Sequence, residues 1–177
     1  MLREQKTFFK RVGACPICNG DVIKTGRGWK CACGFSLPNI VANRYLADWE
    51  VEVLLSRKRI LLDGFASKDM VSFPSVLYIN EKGEYNLDSK VGTCPKCGGF
   101  VHVGRRAYNC SNYSAPNILC NFSIWRSISG HDVTVDEVQD ILKNGFSTKP
   151  LEFFREDGAL YTKHVGLTPD KSGVMKL

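Results

Sequence analysis

The chain has 177 residues, 44% apolar and 24% charged, an ordinary globular composition that argues against a disordered segment or a membrane span and allows one or two small domains. Its formal charge of +6 counts every thiol as neutral. Two metal ions, each held by four thiolates, would bring it to about +2, so the basic character is local and net charge alone does not dictate a polyanionic partner. The start, from Met1 to Cys15, is charged where an export signal needs an apolar run, which predicts a cytoplasmic chain with no membrane partner.

Residues 1–12 precede the first recognisable unit and read as a basic N-terminal arm or an added strand. Then comes Cys15-Pro16-Ile17-Cys18-Asn19-Gly20, a predicted hairpin whose tip runs from Lys24 to Lys30, and the pair Cys31-Ala32-Cys33. Asp48 to Leu55 reads as a short amphipathic helix with Asp48 as its cap. A strand from Ser72 to Asn80, a turn at Glu81-Lys82-Gly83 and a strand from Glu84 to Asp88 follow.

The pattern then repeats, with a boundary near Ser89 to Gly92. Cys94-Pro95-Lys96-Cys97-Gly98-Gly99 restates the first knuckle 79 positions on, and Tyr108 and Cys110 restate Trp29 and Cys31 at the same offset. The register shifts by eight before Cys120-Asn121-Phe122-Ser123-Ile124, which matches Cys33 to Leu37, so the polar stretch from Ser111 to Leu119 reads as a loop insertion. In the second helix Thr134 and Glu137 form a capping-box pattern, Val135, Val138, Ile141 and Leu142 recur at helical spacing, and Asn144-Gly145 is a stop. Strands from Leu160 to Leu167 and from Val174 to Leu177 close the unit. The predicted fold is α+β and β-rich: two tandem zinc-ribbon repeats, 13–90 and 91–177, each a four-cysteine zinc ribbon followed by a short helix and a β-hairpin.

Eight cysteines in a reducing compartment point to metal rather than disulfides. Cys15, Cys18, Cys31 and Cys33 make one set and Cys94, Cys97, Cys110 and Cys120 the other, with none left over. Four thiolates close a tetrahedral zinc site, whereas catalytic zinc keeps a position open for water. Two structural zinc ions and no enzymatic activity are therefore expected. Redox-active or disulfide-forming cysteines, or iron on the same thiolates, are the competing readings. His102, His131 and His164 do not recur in equivalent positions and read as surface or hairpin residues.

These motifs resemble the C-terminal repeats of bacterial type IA DNA topoisomerases, topoisomerase III above all. The second unit carries the likeness best, in Cys94 to Gly99, Tyr108 to Asn112, Cys120 to Trp125, Ile128-Ser129-Gly130 and Asn144-Gly145. The first lacks the Trp after Leu37 and has Ala42-Asn43-Arg44 where a glycine is usual. The resemblance implies accessory zinc ribbons that hold single-stranded DNA or dock a partner protein. No Asp-x-Asp pair, active-site tyrosine region or phosphate loop of a catalytic core is found. The Met1 start favours a stand-alone relative, of the kind a mobile element carries, over a detached tail.

Both hairpin tips are basic and aromatic. Lys24, Arg27, Trp29 and Lys30 in the first, and Arg105, Arg106 and Tyr108 with Trp125 and Arg126 in the second, are the candidate nucleic-acid-binding residues. Cations track phosphates and aromatic faces stack on bases, the ingredients of sequence-tolerant single-strand binding. Trp29 and Tyr108 serve equally well as braces packed across the ribbon, and the run Arg57-Lys58-Arg59 either faces nucleic acid or, as such runs more often do, complements the helix dipole. The alternative function is a docking adaptor for a topoisomerase, polymerase or relaxase.

Overall fold

The computed structural model describes residues 10–177, and the chain divides between Asp88 and Ser89 into two compact units. Residues 1–9 of the proposed arm lie outside the described residues, while Arg11 and Val12 already belong to the first ribbon.

In the first unit β1 (Arg11–Ala14), β2 (Asp21–Thr25), β3 (Gly28–Lys30) and β4 (Ser36–Pro38) form an antiparallel ribbon in sequence order. Alternation along it turns Val22, Trp29 and Leu37 inward, all essentially without exposure. A two-residue ladder follows, β5 (Ile40–Val41) against β6 (Arg44–Tyr45). Its turn residues Ala42 and Asn43 both have positive φ, 44° and 59°, as the tightest hairpin turns require, so Asn43 does the work usually given to glycine. Next come α1 (Asp48–Arg57), stopped by Lys58 in the left-handed region, and an antiparallel sheet of β7 (Arg59–Ala66), β8 (Ser72–Ile79) and β9 (Tyr85–Asp88). Val51, Leu54 and Leu55 of the helix meet Leu62, Phe65 and Leu77 of the sheet in one core with Trp29.

The second unit restates this plan. Its ribbon is β10 (Lys90–Thr93), β11 (Phe100–Val103), β12 (Ala107–Cys110) and β13 (Ser123–Trp125). The short ladder is β14 (Ser127–Ile128) with β15 (His131–Asp132), turning on Ser129 and Gly130 at φ 47° and 77°. Then come α2 (Val135–Asn144) and the pairs β16 (Leu151–Phe154) with β17 (Leu160–Lys163) and β18 (Val165–Leu167) with β19 (Val174–Lys176). Even the irregularity between the first two ribbon strands recurs, between Arg11 and Gly13 and between Lys90 and Gly92. That glycine lets the helix press on the ribbon: a Cβ at Gly13 would lie 3.0 Å from Leu55, and one at Gly92 would lie 2.8 Å from Leu142.

The α+β, β-rich architecture of tandem ribbons is as expected, with local corrections. Asp48 is the first helical residue and not the cap; Ala47 holds the cap position, and the Glu50 carboxylate accepts from its N–H at 2.9 Å. The boundary lies between Asp88 and Ser89, at the start of the stretch from Ser89 to Gly92, most of which belongs to β10. β7 and β16 are strands the sequence reading passed over. The strand expected from Leu160 to Leu167 is broken at His164, whose Nδ1 lies 2.7 Å from the Ser147 carbonyl, and its halves pair with different partners.

Candidate metal centres and ribbon groove

Each Cys-x2-Cys knuckle is a tight turn. Cys15 N–H donates to the Gly20 carbonyl at 2.7 Å and Asn19 N–H to the Cys15 carbonyl at 3.0 Å, with Asn19 at φ 57°. Cys94, Gly99 and Gly98 repeat the bonds at 2.7 and 3.0 Å, with Gly98 at φ 75°. The first ligand pair is thus set by backbone, and the hairpin brings the second pair opposite it.

The eight thiols fall into the two expected groups, and within each the sulfurs all lie within 4.8 Å of one another. Cys15 Sγ is 3.5 Å from Cys33 Sγ, Cys18 Sγ 3.5 Å from Cys31 Sγ, Cys94 Sγ 3.7 Å from Cys120 Sγ and Cys97 Sγ 3.4 Å from Cys110 Sγ. These separations are far longer than the roughly 2.05 Å of a disulfide. They approach the edge of about 3.8 Å that a tetrahedron with Zn–S bonds of about 2.3 Å requires. Each group can therefore hold one zinc ion, and four thiolates leave it closed.

Backbone and amide donors face the sulfurs, but they lower only some of the thiols. Gly20 N–H points at Cys18 Sγ from 3.4 Å, Asn112 N–H at Cys110 Sγ from 3.3 Å and the Asn112 amide at Cys97 Sγ from 3.5 Å. The Gly99 N–H and the Asn112 amide lower the Cys97 thiol to about 6. Burial, then the neighbouring thiols, push Cys110 up to about 12. One thiolate forms readily and opposes the next, an opposition that a divalent cation removes. The two centres differ in cover: Cys94, Cys110 and Cys120 are buried in the second, and only Cys15 in the first, where Cys18 and Cys33 are exposed.

The proposed nucleic-acid residues separate. Trp29 and Tyr108, offered as stacking platforms, are both 0% exposed, so neither can stack on a base. The reason is the period-2 alternation of β3 and β12, which turns them to the core side; the Tyr108 hydroxyl donates to the Val133 carbonyl at 2.7 Å. Lys24 is held by Asp48 at 2.8 Å, with its ammonium 5.8 Å from the Trp29 ring centre. Arg126 donates from Nη1 to the Arg105 carbonyl at 3.3 Å and braces the tip. Arg27, Lys30, Arg105 and Arg106 are exposed, as is Trp125 at 61%.

In the second unit an open groove of about 1020 Å³ gathers Arg105, Arg106 and Trp125 with three residues the sequence reading did not select, His102, Asn109 and Tyr113. His102 pairs with Asn109 and Asn109 with Ser123 across the ribbon, so these polar side chains share the face opposite Tyr108. Alternation alone could have found His102 and Asn109. Tyr113, half exposed, comes from the insertion between Cys110 and Cys120, and the far wall is the turn from Thr168 to Val174. The first ribbon lacks this groove's aromatic, since Pro38 stands where Trp125 does.

The chain is 24% identical over 156 residues to the DNA topoisomerase 1 of Bacillus anthracis, a match that covers 78% of this chain and 18% of that protein. That relative and the two four-cysteine groups together fit a zinc-binding, topoisomerase-like region. No family model matches the chain, and no solved structure does either. Among the described residues no helix is long and apolar enough to cross a membrane.

Proposed function

We propose that this chain is a non-catalytic, zinc-binding accessory protein of DNA processing that holds single-stranded DNA on its second ribbon. The observation that carries the reading is the groove itself: an exposed indole at Trp125 and a half-exposed phenol at Tyr113 beside two solvated guanidiniums, Arg105 and Arg106, on a face paved with His102 and Asn109. Unpaired bases stack on the rings while phosphates track the arginines, and no base edge need be read. The two metals are structural, since neither four-thiolate group leaves a position open for water. The similarity to a DNA topoisomerase 1 supports DNA as the ligand.

Titration of the zinc-loaded chain with fluorescently labelled oligothymidylate tests this. Binding weakens steeply as salt rises, and Trp125→Ala lowers affinity about tenfold, the loss expected of one stacked base. Affinity indifferent to both salt and Trp125 overturns the reading.

A second reading, a docking adaptor for a DNA-processing enzyme, rests on the insertion, where Ile118 and Leu119 are 54% and 74% exposed. Co-purification with one large partner that survives nuclease and is lost in Leu119→Asp would establish it.

A further inference from the structure

From the last cysteine of each set to the end of the helix the two units correspond position by position, and where they differ there the difference marks a surface the fold does not need. Beyond the ribbon the offset is 87 positions, which sets Tyr45 against Asp132 and Trp49 against Asp136. The second unit places exposed aspartates there. The first places a phenol 58% exposed at the end of β6 and an indole 60% exposed in the first turn of α1, beside Ile40, cross-strand from Tyr45 and 56% exposed. Packing demands none of these rings, because the same short ladder and helix are built without them in the second unit.

Cations flank the rings. Lys10 and Lys24 both reach the carboxylate of Asp48, the residue just before Trp49, at 3.4 and 2.8 Å. One carboxylate shared by two ammoniums leaves positive charge beside the aromatics. Of the acids nearby, Glu52 is exposed one helical turn from Trp49, Glu50 is buried and forked to Arg44, and Asp63 is exposed beside Arg44. The ribbon tip of the same unit is poorly equipped by comparison, with Trp29 buried and Pro38 in place of an aromatic.

We infer that the first unit carries its own single-strand-binding face, formed by Tyr45 and Trp49 with Lys10 and Lys24, on the ladder and helix rather than on the ribbon. Its ligand is an unpaired polynucleotide stacked on the two rings, with phosphates at the lysines. The inference rests on the single-strand reading and places a second contact on the chain. A strand long enough to engage both units then binds more tightly than one that fills a single face.

Tryptophan emission reads this directly, because Trp29 is buried and only Trp49 and Trp125 are exposed. In the zinc-loaded full chain carrying Trp125→Phe, oligothymidylate quenches the emission of Trp49. In the otherwise unaltered chain, Tyr45→Ala with Trp49→Ala lowers the affinity for long oligothymidylate about tenfold or more, with zinc content and melting temperature unchanged, since both rings lie outside the core. Binding seen by anisotropy of the labelled strand, with Trp49 silent and the double variant at full affinity, overturns this face and leaves the groove reading standing. No binding by the unaltered chain overturns both, and the exposed rings then read as a protein-facing surface.

Discussion

Arg44 and His131 occupy the same place in the two units, and each reaches back to the glutamate in the first turn of the following helix. Arg44 forms a fork to Glu50 at 2.6 and 2.8 Å, and His131 Nε2 lies 3.0 Å from Glu137. Each glutamate also accepts the cap N–H, from Ala47 at 2.9 Å and Thr134 at 2.8 Å. Behind each lies a buried ring. The Arg44 guanidinium sits 5.6 Å from the Phe65 centroid, and His131 meets Phe153 edge-on at 5.5 Å, where the Lys176 ammonium adds a cation at 4.6 Å. This cluster locks ladder, helix and sheet together in both units.

The Arg44–Glu50 fork is nearly buried, so removing one partner strands the other. Glu50→Gln is expected to destabilise the first unit by about 2 to 4 kcal/mol, measured by denaturant unfolding at neutral pH. Burial alone would raise the Glu50 carboxyl, but the Arg44 bonds and the Ala47 N–H outweigh it and hold it below its ordinary 4.5. A carboxyl lowered in the folded state contributes stability above its unfolded value and loses it as pH falls through the folded one. The gap between parent and variant is therefore constant above about 4.5 and narrows below it. Both proteins keep all eight cysteines, so acid release of metal cancels in the comparison.

Tyr108 and Trp29 are equivalent and equally buried, yet only the tyrosine's polar atom finds a partner in the structure, while the Trp29 indole nitrogen has none. Tyr108→Phe leaves the Val133 carbonyl without its donor and should cost about 1 kcal/mol. Neither Tyr108→Phe nor Trp29→Phe should change affinity for single-stranded DNA beyond that loss of stability. A large affinity loss in a variant that still melts normally would reinstate them as contacts.

Gly92 faces Leu142 so closely that an added methyl must displace the helix or the leucine. Gly92→Ala should lower stability by about 1 to 3 kcal/mol, as overpacking does, and Leu142→Ala in the same chain should recover part of it. Additive losses would show that the helix does not rest on that strand.

The first metal centre is the more open, with Cys18 and Cys33 exposed. Under a chelator in modest excess, zinc should leave in two phases, the fast one assigned to the first unit because Cys33→Ser abolishes it. Loss of the second-unit metal first would contradict the burial difference.

Much of this was legible in the chain. Repeat spacing revealed the two thiol groups, and Thr134 with Glu137 announced the second helix start, because those signals are local. Trp29 and Tyr108 were harder: neighbouring basic residues suggested an exposed tip, while strand alternation, which placed Val22 and Leu37 inward with Trp29, decided the matter. β7 was hidden by its composition, a charged start followed by Ile60-Leu61-Leu62 with no period, and it is defined only by pairing with β8. The groove was least legible, since its far wall from Thr168 to Val174 comes from a distant part of the unit and is brought over by tertiary contact, including the Ser123 N–H bond to the Ser172 carbonyl at 2.9 Å.

Native mass spectrometry of the reduced chain, before and after a strong chelator and paired with circular dichroism, tests the central claim most directly. Two zinc ions per chain, with loss of folded signal as they are stripped, is the expected result. A chain that holds no zinc, or one that keeps its fold after chelation with its thiols oxidised in pairs, would contradict it.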